Sequence, residues 1–116
     1  MVVDAPYGPL EPSLGLAMVA KTLADELGPR GINVTVVHPG MTRTERTPEA
    51  MAAMAQARGT TGEELERALE GGVSIGRLVT AEEVASVVAF LASPRSVALN
   101  GDAVAAGGGA RGSIYY

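Results

Sequence analysis

Between residues 13 and 40 the chain reads SLGLAMVAKTLADELGPRGINVTVVHPG, and this stretch limits the available folds more than any other. Ser13 stands where an N-cap belongs, and Leu16, Ala20, Leu23, Ala24 and Leu27 recur at helical spacing behind it. That pattern predicts a helix of about four turns, stopped by the Gly28–Gly31 turn with its embedded proline. Ile32, Val34 and Val36 then alternate with Asn33 and Thr35, which predicts a strand over 32–37. Its apolar end suits a strand covered on both faces. Helix, tight turn and strand make half of an α/β crossover unit, so the fold class expected is α/β.

The rest of the chain supplies further elements. Met1–Asp4 is an apolar stub, long enough for the end of a strand, and Pro6, Gly8, Pro9 and Pro12 interrupt regular structure after it. Pro48 follows Thr47 at the first position of a helix ending near Gly59. Thr61 with Glu64 has capping-box spacing and opens a second short helix ending at Gly71–Gly72. Thr80 with Glu83 repeats the device, ahead of a helix whose Val84, Val87, Val88 and Leu91 form the stripe expected to be buried. Ala103–Ala106 reads as a weak strand closed by glycines. Met51 and Met54 suit gap-filling in a core better than contact with a ligand.

Composition removes several function classes. A single domain of 116 residues buries roughly 65% of its unfolded surface. Aromatics make up 3% of it, so aliphatic side chains must build the core. The net charge is −4 and the basic residues are scattered, which argues against nucleic acid as a partner. There is no cysteine and one histidine, His38, so thiolate and His-rich metal sites are excluded. No apolar run approaches the ~20 residues of a membrane span, and a soluble cytoplasmic protein with no membrane partner is expected. Gly107, Gly109 and Gly112 match G-x-G-x-x-G literally, but a phosphate loop needs a helix behind it and four residues follow. No nucleophile elbow is present, and no triad assembles around His38.

Three segments taken together, LADELGPRGINVTVVHPGMTRTE, IGRLVTAEEVASVVAFLAS and NGDAVAAGGG, resemble the C-terminal half of the short-chain dehydrogenase/reductase family. The resemblance covers about residues 13–109. It implies the C-terminal portion of a Rossmann-like doubly wound parallel sheet, with two strands and about four helices, and an NAD(P)-linked carbonyl/alcohol oxidoreductase for the complete fold. The loop after the strand, Pro39–Gly40, would lie at the nicotinamide, and Thr44 would contact the cofactor. The position agrees with the rule that open α/β sheets bind ligands at the carboxyl ends of their strands. Residues 47–72 would form the helical region covering a small-molecule substrate.

Two parts of the family pattern do not match. Counting back from Leu27, the family's catalytic lysine falls on Ser13 and its tyrosine on Pro9. Tyr7 is out of register, and Lys21 stands roughly 12 Å along the helix from Ser13. Catalytic residues are therefore unassigned, since proline cannot exchange a proton and serine cannot supply the cation. The glycine-rich cofactor loop and its strands would precede Met1. The chain alone is expected to be inactive and to bind neither NAD nor NADP tightly, with the inner edge of strand 32–37 unpaired. Completion by a homo-oligomer is expected. The alternatives are a self-assembling half-domain that acts as a binding module or non-redox enzyme, and a structural partner that completes another subunit's sheet.

Overall fold

A computed structural model describes residues 2–4 and 10–112, with side-chain surroundings from residue 14 onward. The elements run β1 (Val2–Asp4), α1 (Leu10–Leu27), β2 (Thr35–His38), β3 (Thr42–Arg43), α2 (Thr47–Arg58), α3 (Gly62–Gly71), β4 (Val79–Thr80), α4 (Ala81–Leu91) and β5 (Ala103–Ala105). Short 3-10 turns cover Gly28–Arg30 and Pro94–Leu99.

The main sheet has the order β1-β2-β5, and every pairing in it is parallel. Val3 lies opposite Val36, and Val37 opposite Val104. The α/β class and the parallel sheet agree with the sequence. The N-terminal stub is a full neighbour of β2, so the expected unpaired edge along 32–37 does not exist. Ladder bonds run on the other side too, with Val36 N donating to Asp102 O at 3.0 Å and Ala106 N to His38 O at 2.8 Å. The strand is also shorter than 32–37. Ile32 and Asn33 belong to the turn out of α1, where Ile32 N reaches back to Leu27 O at 3.3 Å.

α1 begins at Leu10, ahead of the expected Ser13. Pro12 falls in its first turn, where the missing amide proton would have had no partner inside the helix. The helix lays Ala20 and Ala24 on Val34 and Val36, with Leu16, Leu23 and Leu27 around them. The small alanines let helix and strand approach closely, which is how a core with so few aromatics closes.

A second hydrophobic cluster is separate from the first. Met51, Ala55 and Leu65 are buried between α2 and α3, with Met41 and Leu69 packed against them. Met51 therefore fills a core, while Met54 is 39% exposed. Both capping boxes form: Thr61 with Glu64, and Thr80 with Glu83. On α4, Leu91 is buried, whereas Val84, Val87 and Val88 are only half-buried. The stripe exists, but the described residues cover it incompletely. No helix among them is long and apolar enough to cross a membrane.

Candidate functional site at the carboxyl end of the second strand

β2 ends at His38, and Pro39 breaks the strand because it cannot donate to a ladder. Gly40 follows with φ +67°, a left-handed conformation that suits glycine. The chain turns there and runs into β3, which pairs in parallel with β4, Thr42 opposite Val79 and Arg43 opposite Thr80. Pro39, Gly40, Met41 and Thr42 are half-buried, and Thr44 is exposed.

Thr44 and Thr47 clasp one another at the foot of α2. The Thr44 amide donates to Thr47 Oγ1 at 2.7 Å, and the Thr47 amide donates to Thr44 O at 3.0 Å. Thr47 is buried and anchors the helix start, while Thr44 is exposed with its hydroxyl 3.5 Å from Thr47 Oγ1. Arg43 pairs with Glu66 on α3, which ties the loop to the helical pair above it.

The opposite wall comes from β5. A Cβ placed on Gly107 would lie 2.9 Å from Gly40 Cα and 3.4 Å from Pro39 O, so the two backbones touch where a side chain would intrude. Pro39, Gly40 and Thr44 are thus on one loop, braced from below by Gly107 and from above by α2. The structure brings Pro39 and Gly40 to the sheet end, with Thr44 at the rim.

Electrostatics near the site come from carboxylates that cap helices. Arg77 donates to Glu83 at 2.8 and 2.5 Å, and the Thr80 amide donates to the same carboxylate at 2.9 Å. These bonds, the Arg77 contact first, hold the Glu83 pKa down to about 2. The Thr60 hydroxyl and Thr61 amide similarly lower that of Glu64. Among the described residues no group of three or more His, Asp or Glu side chains could hold a metal.

Lys21 forms an exposed pair with Asp25 one turn on, at 3.0 Å, as a solvated helix residue does. Ser13 lies in the first turn of α1, while Tyr7 and Pro9 fall outside the described residues. Sequence reasoning missed Asn100, whose side chain joins three elements, and the contact between Gly107 and Gly40. The glycine run itself was the only signal for the latter. Among the described residues no helix opens behind it, and the chain instead bridges back to Val73 through Ala110.

Comparison with known proteins decides the family. The model of a family described as Enoyl-(Acyl carrier protein) reductase matches residues 14–111. The chain belongs to the short-chain dehydrogenase/reductase family. It is 38% identical over 95 residues to the 3-oxoacyl-[acyl-carrier-protein] reductase FabG of Pseudomonas aeruginosa, covering 82% of this chain and 34% of that protein. The L-sorbose reductase of Gluconobacter frateurii, solved with NADPH and L-sorbose, superposes with TM-score 0.81 at 23% identity, over 97% of this chain and 47% of that one. YwfH, an NADPH dependent reductase involved in bacilysin biosynthesis, gives 0.79 at 25% identity over 97% and 46%. The chain spans about a third to two fifths of the length of the curated relatives it matches.

Proposed function

We propose that this short-chain dehydrogenase/reductase chain forms the nicotinamide-facing and substrate-covering side of an NAD(P)-dependent carbonyl/alcohol oxidoreductase, and that it is inactive alone. The observation that carries this is the convergence at the end of β2. A proline-glycine loop braced by Gly107 leads directly into Thr44 and the foot of α2. The described residues fit one side of a dinucleotide. Pro39 and Gly40 would lie against the nicotinamide, and the exposed Thr44 hydroxyl would hydrogen-bond to the cofactor. When bound, the cofactor supplies or accepts hydride. This chain's part is to orient it, to exclude water with α2 and α3, and to shape the substrate pocket. The proton that accompanies the hydride has no matched tyrosine here, so its donor is left unassigned.

Calorimetric titration of the chain with NADPH and with NADH, run alongside its oligomeric mass, tests the reading. Weak binding is expected, and micromolar affinity for either would overturn the proposal that a second half is needed. NADPH enters as the first probe because related structures were solved with it.

Self-association is the second reading, favoured by one face of α1. Leu14, Met18 and Val19 are 65%, 64% and 57% exposed, and apolar faces of this kind are buried between subunits. A homo-oligomer packed through this face should dissociate when Leu14 and Met18 are both changed to Glu. A wild-type monomer by light scattering would sink it.

A further inference from the structure

The three glycines 107–109 each have a separate neighbour. Gly107 faces Gly40 and Pro39, where an added Cβ would meet Gly40 Cα at 2.9 Å and Gly40 N at 3.3 Å. Gly108, at φ +76°, lies against the Ile75 and Val73 side chains, and Gly109, at φ +86°, lies against Ser74. The backbone then joins the segment leaving α3. Ser74 N donates to Gly109 O at 2.7 Å, Ile75 N to Gly108 O at 3.2 Å, and Arg111 N to Gly72 O at 2.9 Å. Val73 and Ala110 form an antiparallel bridge.

One short run therefore touches both halves of the site. At its first residue it limits how far the Pro39–Gly40 loop can sink toward the sheet. Over the next four it fastens the exit of the α2–α3 pair. We propose that Gly107 is a positioning residue for the Pro39–Gly40 loop, and that residues 108–111 are a strap holding the helical cover in register with it. The part of this that concerns the cofactor rests on the function proposed above. Backbone contact makes the position intolerant: a methyl group at 107 has only main-chain atoms to push against, so the loop must move.

The test uses the whole chain, isotopically labelled, with amide-resolved NMR and hydrogen exchange. Gly107→Ala should shift the amides of Gly40, Met41 and Thr42 and speed exchange at Ser74 and Arg111. Gly71→Ala is the control, because its Cβ would meet nothing within 4 Å. Unchanged spectra at Gly40–Thr42 in a folded Gly107→Ala would overturn the positioning role. Should that variant fail to fold, Arg111→Pro removes the amide bonded to Gly72 O and stiffens the chain at Ala110. Faster exchange at Ser74 and Ile75 is then expected, and wild-type exchange there would overturn the strap. A second arm adds millimolar NADPH. Wild-type amides between Gly40 and Thr44 should respond, Gly107→Ala should bind about tenfold more weakly, and the Gly71→Ala control should respond as wild type does. Equal binding by Gly107→Ala and wild type would overturn the positioning role. A silent wild-type loop beside a displaced Gly107→Ala loop would instead support the mechanical coupling and remove the cofactor reading.

Discussion

Changing Asn100 to alanine would test how the helix, the central strand and the last strand are held together. Its Oδ1 accepts from Val34 N at 2.8 Å, and its Nδ2 donates to Ala24 O at 3.3 Å. Gly28 leaves room for it, since a Cβ there would stand 3.1 Å from Nδ2. Val34 is fully buried, at 0% exposure, so its amide loses its acceptor in a site closed off from bulk solvent. An orphaned buried amide costs about 1–3 kcal/mol and the second hydrogen bond about 0.5–1.5 kcal/mol. A destabilisation of about 1.5–4.5 kcal/mol follows, a large share of the roughly 5–15 kcal/mol typical of a domain. Urea unfolding should show a lower midpoint at unchanged slope, and the Val34 amide should exchange faster. An unfolding free energy within about 0.5 kcal/mol of wild type, the ordinary surface range, would refute the account of Asn100 as a junction.

Three further outcomes are expected. Glu83 has its pKa lowered from 4.5 to about 2, so its pairing contributes fully above pH 4.5 and is lost as pH falls toward 2. Glu83→Gln should flatten the fall in urea midpoint across that window, and an identical profile would contradict the assignment. Thr47→Val removes the acceptor of the Thr44 amide and should cost about 1 kcal/mol, with faster Thr44 exchange as the local readout. Lys21→Ala removes an exposed i,i+4 pair and the lysine stem beside Gly101, so urea unfolding should register less than about 0.5 kcal/mol; a loss of NADPH response would bring Lys21 into the site.

The sequence displayed α1, both capping boxes and the α2 proline start because each depends on residues a few positions apart. Thr61 and Thr80 needed only Glu64 and Glu83 three residues on to be read as helix starts. The pairing of β1 with β2 was not legible, since it joins Val3 to Val36 across the whole of α1. The same holds for the role of Asn100. Its partners, Val34 and Ala24, lie 66 and 76 positions away. Within the site, Pro39–Gly40 was visible as a local break after a β-branched run. Its brace, Gly107, was read only as part of a failed phosphate motif, because glycine carries no side chain to announce a contact.

The two-residue pair of β3 with β4 has a consequence for how this part of the molecule can diversify. Both ends of the stretch from Thr44 to Leu78 are held together at its base, where Thr42 meets Val79. The helices within it have their own small core of Met51, Ala55 and Leu65, apart from the one under α1. Lengthening a loop whose ends are already joined costs only about 0.6 kcal/mol per doubling. Insertions and wholesale sequence changes in α2 and α3 can therefore accumulate with little strain passed to the main sheet, as long as residues 72–75 keep their backbone bonds to 108–111. The stretch behaves as an interchangeable cassette, whose sequence can change while the scaffold beneath it stays intact.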